Sequence, residues 1–161
     1  MDLYILSEND AIRYSEEFQE NTAIISITQP DEDDVVFADN EYIKCVFRMR
    51  FYDIVSEIRS SGISPAYQED FDGLKEFVDS LENFEIEHLV VHCAAGKSRS
   101  AAVAAAINEY LDLGEHIWDC PSFYPNMHVY KLACKELGIE KKPSDYEELF
   151  RILDESSDYF G

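Results

Sequence analysis

Basic residues are scarce in this chain: 13 Lys and Arg stand against 34 Asp and Glu, a formal net charge of −21. Such a surface repels nucleic-acid phosphates and anionic lipid, so neither nucleic acid nor a membrane is an expected partner. Any phosphate-binding site must therefore raise its own positive field against the charge of the whole protein. The scattered cysteines Cys45, Cys93, Cys120 and Cys134 offer no C-x-x-C pair and no zinc-like spacing. The four histidines, His88, His92, His116 and His128, form no metal pattern either. No metal and no cofactor is expected. A basic leader followed by an apolar run is missing, as is any stretch long enough to span a bilayer. Free thiols in a reducing cytoplasm are the expectation. There is no internal repeat and no low-complexity linker, and 161 residues suit one domain spanning 1–161 with a core of its own.

What is present is an alternation of strand and helix patterns. Leu3–Leu6 reads as a strand, with Ser7 placed to cap a helix whose Ala11 and Ser15 share a face with Phe18. Ala23–Thr28 is β-branched and reads as buried on both faces, and the acidic run Asp31–Asp34 beyond Pro30 reads as a solvated loop. Tyr42–Phe51 alternates apolar and charged positions. Asp53–Gln68 is weakly patterned and punctuated by Ser60-Ser61-Gly62. Helical spacing returns at Phe71, Leu74, Phe77, Val78 and Leu81. Strand Leu89–His92 precedes an alanine-rich helix over Ser98–Leu113, apolar nearly all round, with Gly114 as its stop. After an aromatic loop at Trp118–Pro125, Met127, Tyr130, Cys134 and Leu137 mark another helix. The last begins at a Ser144-Asp145-Tyr146-Glu147 capping box, turns Tyr146, Leu149, Phe150 and Leu153 inward, and frays from about Asp154. The fold class is α/β, a mainly parallel sheet of four to five strands flanked by helices.

One stretch carries chemistry. An apolar strand stops at Cys93, the small residues Ala94, Ala95 and Gly96 follow, then Lys97, Ser98, Arg99 and Ser100 enter a helix. The free N–H groups of a helix start supply roughly half a positive charge. Small residues let successive backbone N–H groups curl around an anion. Arg99 carries a planar fork suited to two phosphate oxygens. A thiol in such a field ionises readily. Gly96-Lys97-Ser98 also ends like the nucleotide loop G-x-x-x-x-G-K-[ST], but the leading glycine falls at Val91 and that reading drops out. The bland alternative makes Cys93 a buried apolar residue and Arg99 a surface one.

The series His92-Cys93-x-x-Gly96-x-x-Arg99-Ser100 resembles the signature loop of the cysteine-dependent protein-tyrosine and dual-specificity phosphatases, in their compact form. The resemblance implies a phosphotyrosine-phosphatase-like fold and hydrolysis of phosphotyrosine or mixed phosphoprotein esters, or of a small phosphoester. In that family the cysteine attacks phosphorus, the arginine binds phosphoryl oxygens and the serine assists breakdown of the phosphocysteine; carried over, these are Cys93, Arg99 and Ser100. Ala94, Ala95, Gly96, Lys97, Ser98 and Arg99 then form the phosphate cradle, and His92 is an orienting residue.

The leaving oxygen needs a proton, a task worth roughly a hundred- to ten-thousand-fold in rate. The family draws it from an aspartate upstream of the cysteine. Asp53 ends the third strand pattern, and sites gather at strand carboxyl ends in parallel sheets. It is favoured over Asp70 and Asp72, which open a helix and read as caps. Tyr124-Pro125-Asn126 resembles a segment of small bacterial relatives, with Asn126 read as a cap. Cys45 and Cys134 lie on apolar faces and read as inert, and Cys120 is the better redox partner for Cys93. Two other functions use the same loop: a phospho-residue reader lacking a positioned acid, and a sulfurtransferase working through a Cys93 persulfide.

Overall fold

A computed structural model describes residues 1–55 and 63–158, so the Ser60–Gly62 punctuation lies outside the described residues. Four strands form one parallel sheet: β1 (Asp2–Ser7), β2 (Thr22–Thr28), β3 (Ile43–Arg50) and β4 (His88–Cys93), in the order β1-β4-β2-β3. β4 is central, with Cys93 opposite Ser7 of β1 and His92 opposite Ser26 of β2. Parallel pairing needs a crossover between neighbours; between β2 and β3 it is an irregular connection over 29–42 without a helix, and between β2 and β4 it includes a helix and two 3₁₀ turns. Among the described residues, no helix is long and apolar enough to cross a membrane.

The helices are α1 (Glu8–Ser15), α2 (Leu74–Asp79), α3 (Arg99–Leu111), α4 (Met127–Glu136) and α5 (Pro143–Asp158). Ser7 caps α1 as its sequence predicts, its side chain accepting from the Asp10 N–H at 3.1 Å. The main core lies between the sheet and α3 with α4, where every residue of α3 from Arg99 to Ile107 is buried. Its alanines let that helix approach β4 closely, and each neighbouring buried Ile or Leu contributes about 1.5–3 kcal/mol through removal from water. The opposite face is thinner: Ala11, Ile24 and Val90 are its buried members, with Phe18 and Phe37 packed alongside. β2, buried along its whole length, joins the two faces.

Five expectations need correction. The stripe Phe71–Leu81 is not one helix but a 3₁₀ turn at Gln68–Phe71, the short α2, and a second 3₁₀ turn at Leu81–Phe84. Gly73 makes the break, with φ +89° and the Phe47 ring 3.3 Å from where a Cβ would stand. α3 begins at Arg99 and stops at Leu111, because Asp112 adopts the left-handed conformation with φ 53° before Gly114 is reached. The box of α5 is shifted: Pro143 opens the helix and the Asp145 carboxylate accepts the Lys142 N–H at 2.8 Å. Phe150 is 41% exposed, while Leu153 is buried. α5 also continues past Asp154 to Asp158.

Candidate active site

β4 delivers Cys93 to the carboxyl edge of the sheet, and the chain then turns through residues 94–98 into α3. Gly96 is obligatory at that turn. Its φ is +72°, and an added Cβ would lie 2.5 Å from the Leu6 carbonyl carbon and the Ser7 nitrogen. The Glu8 N–H donates to the Ala94 carbonyl at 3.1 Å, so the loop is also pinned to the junction of β1 and α1. Ala94, Ala95 and Lys97 remain exposed, whereas Gly96, Arg99 and Ser100 are buried.

Cys93 is 2% exposed. Burial alone pushes its thiol up. Hydrogen bonds from the Ser100 hydroxyl and the backbone N–H groups of Ser100 and Gly96, with the Arg99 charge, outweigh burial and hold it below its ordinary value. The Sγ to Ser100 Oγ distance is 3.1 Å, and a thiolate makes the hydroxyl the donor. At the other two thiols on apolar faces burial prevails, even though the Tyr130 hydroxyl donates to Cys134. Burial raises Cys45, and it drives Cys134 up to about 12.

Arg99 lies 4% exposed beneath the loop. One terminal nitrogen donates to the Phe51 carbonyl at 3.0 Å, while its buried Nε–H finds no partner among the described residues. The guanidinium thus ties the loop to the end of β3 and keeps a donor in hand. That same strand end carries Asp53, whose Oδ1 accepts from the Ser98 hydroxyl at 2.8 Å and from the Asn126 amide at 2.7 Å. Asp53 itself is exposed. The structure therefore bonds Cys93 to Ser100, Asp53 to Ser98 and Arg99 to the Phe51 carbonyl, three separate pairs around one loop, whereas Asp70 spends its carboxylate capping the Tyr67 N–H at 2.7 Å.

His92 is fixed by two bonds. Its Nδ1 lies 3.2 Å from the Cys93 carbonyl and its Nε2 lies 2.6 Å from the Ser26 hydroxyl. A carbonyl only accepts, so Nδ1 carries the proton and neutral Nε2 accepts from Ser26. Burial lowers its pKa and keeps the ring in that uncharged tautomer. The orientation of the Cys93 peptide follows from it.

Three contributors escape the sequence reading. Ser26 falls within a strand pattern that reads as apolar, although a lone hydroxyl among buried β-branched residues signals a partner in the core. Asn126 does cap α4, accepting the Val129 N–H at 3.1 Å, but its amide also donates to Asp53 and to the Ile54 carbonyl. Its own N–H donates to the Ser98 carbonyl at 3.2 Å. The third is the Phe51 carbonyl, a backbone group with no sequence signal.

The parallel α/β sheet, with a buried thiol at the carboxyl end of β4 and an arginine opening α3, is the arrangement that the resemblance of the loop implies. No family model and no curated protein sequence matches this chain. Among solved structures, it is similar to the human tyrosine phosphatase-like serine/threonine/tyrosine-interacting protein, at 16% identity, over 99% of this chain and 93% of that one, with a TM-score of 0.51. It is also similar to human DUSP28, at 11% identity over 98% and 94% of the two chains, with a TM-score of 0.49. The chain has the fold of the tyrosine and dual-specificity phosphatases.

Proposed function

We propose that the protein is a metal-independent phosphomonoesterase that works through a Cys93 phosphocysteine, acting on phosphotyrosine or on a mixed set of phosphoprotein esters. The Cys93 thiolate attacks phosphorus, the S–P bond forms and the ester P–O bond breaks. The departing oxygen takes the proton of the Asp53 carboxyl. The N–H groups of residues 94–99 and the Arg99 guanidinium hold the equatorial oxygens, where negative charge is carried in the transition state. Water then attacks the phosphocysteine, its proton passes to the Asp53 carboxylate, and thiolate leaves with the Ser100 hydroxyl donating to it. Inorganic phosphate is the product.

The observation that carries this reading is the meeting of a lowered thiol with a carboxylate tied to the same loop. The Ser98 hydroxyl donates to Asp53 at 2.8 Å, and the Ser100 hydroxyl lies 3.1 Å from Cys93. A phospho-residue reader needs the cradle but has no use for the acid.

Release of a chromogenic aryl phosphate under mildly acidic conditions, abolished in Cys93→Ser, is the expected result. Retention of phosphopeptide by wild type without any Cys93-dependent release would sink hydrolysis and leave the reader. Thiocyanate formation from thiosulfate and cyanide would turn the loop over to sulfur transfer.

A further inference from the structure

The charge around the loop opposes the charge within it. Each strand near β4 hands on to a carboxylate at the sheet edge where Cys93 lies. β1 is followed by Glu8, whose N–H donates to Ala94 at 3.1 Å. Past β2 come Asp31, Glu32, Asp33 and Asp34, and desolvation together with the nearby Asp31 charge pushes the Tyr52 phenol up. Past β3 comes Asp53, on the Ser98 hydroxyl. The arginines of these elements are already occupied, Arg13 by Asp10 at 3.0 Å and both Arg48 and Arg50 by Asp34, and Lys44 lies at the opposite, amino end of β3. Lys97 stands exposed in the loop without an ion pair among the described residues. Arg99, buried and with its Nε–H unpartnered among those residues, marks the centre as an anion site.

These two fields act at different ranges. The cradle works through hydrogen bonds at contact distance and takes one dianionic group. The rim works over a Debye length, about 8 Å at physiological salt. A second phosphate or a cluster of acidic residues on the same ligand meets carboxylates there, while a cationic neighbour meets complementary charge.

We propose that the ligand of this site is a singly phosphorylated protein segment whose residues beside the phosphoester are Lys and Arg. The inference rests on the phosphomonoester reading of the Cys93 loop and adds the chemistry of the surroundings. Ligands dense in phosphate, such as a phosphoinositide headgroup in an anionic vesicle, are disfavoured by the same rim.

The test compares two phosphotyrosine peptides of equal length, one flanked by Lys and Arg and the other by Asp and Glu, with a phosphoinositide in anionic vesicles as the third substrate. At low ionic strength kcat/KM for the basic peptide is expected to exceed the acidic one by about tenfold or more, the scale of electrostatic steering. The gap should close toward parity near 1 M salt, where the Debye length is about 3 Å. The combined variant Glu8→Gln, Asp31→Asn and Asp33→Asn should narrow it. Equal rates, a preference for the acidic peptide, or faster turnover of the vesicle substrate would overturn the inference while leaving the enzyme reading intact. If no substrate turns over, the enzyme reading fails, and fluorescence anisotropy of the labelled peptides on Cys93→Ser carries the same comparison. Tighter binding of the basic peptide then supports the ligand class, and equal binding overturns it.

Discussion

Cys93, Arg99 and Ser100 lie inside the molecule, whereas Asp53, the group proposed to exchange protons with their substrate, is exposed. The loop is fixed by backbone: a left-handed glycine, a carbonyl pinned by Glu8, and a following helix buried for two turns and more. Asp53 is held chiefly by side chains, the Ser98 hydroxyl and the Asn126 amide. A cradle for an anion needs fixed dipoles, since reorganisation would cost the stabilisation it provides. A proton donor must meet leaving groups of different shape. A rigid loop and a lightly tethered carboxylate stand side by side.

Substitutions should separate the two regions, in descending effect. Gly96→Ala should damage both folding and activity: the left-handed backbone alone costs about 1–3 kcal/mol, and the contact with Leu6 and Ser7 adds to it. A melting temperature equal to that of wild type would show that the loop is less constrained than described. Asp53→Asn should lower kcat by roughly a hundred- to ten-thousand-fold for esters with poor leaving groups and far less for activated aryl esters. Its stability should stay within about 0.5 kcal/mol of wild type, as for an exposed site. An equal loss for all leaving groups would take the acid role away from Asp53. Arg99→Lys removes the fork that reaches Phe51 and should cost roughly a hundredfold in kcat/KM; phosphate inhibition of unchanged strength would contradict it.

The thiols give a graded contrast. Alkylation near neutral pH should label Cys93 while Cys134, pushed up to about 12, stays silent. Ser100→Ala should move the Cys93 labelling curve to higher pH. Because the folded thiol lies below its ordinary value of 9.0, its thiolate contributes stability in full above that value, and this is lost as pH falls through the folded value. Denaturation against pH should therefore lose that component in Cys93→Ser. The smallest expected effect is Ser98→Ala, which removes one of two donors to Asp53 at a cost of about 0.5–1.5 kcal/mol, read as a few-fold change in kcat.

The strand, loop and buried helix around Cys93 were legible because each is local: an apolar run, small residues, then alanines. Asp53 was favoured from its place at a strand end, and the hydrogen bonds to Ser98 and Asn126 set it beside the loop. Asn126 was half legible. Capping accounts for its Oδ1, and no spacing rule links its amide to a residue so distant in sequence. Ser26 needed knowledge of strand order, since it meets His92 only because β2 and β4 are neighbours. The expected Phe71–Leu81 helix failed because its apolar spacing passes through Gly73, where a left-handed residue interrupts what periodicity alone continues.

The Arg99 bond to Phe51 makes the guanidinium a common fastening for two parts of the site. One nitrogen grips the strand end that carries Asp53, and the remaining donors face a shared load. A bound oxyanion that steadies the fork must steady the strand end too. Vanadate should then slow amide hydrogen exchange at the Phe51 N–H, which donates to Thr28 at 3.0 Å, although no oxyanion touches that group. Filling the cradle would be felt as a tightening of the arm that carries Asp53.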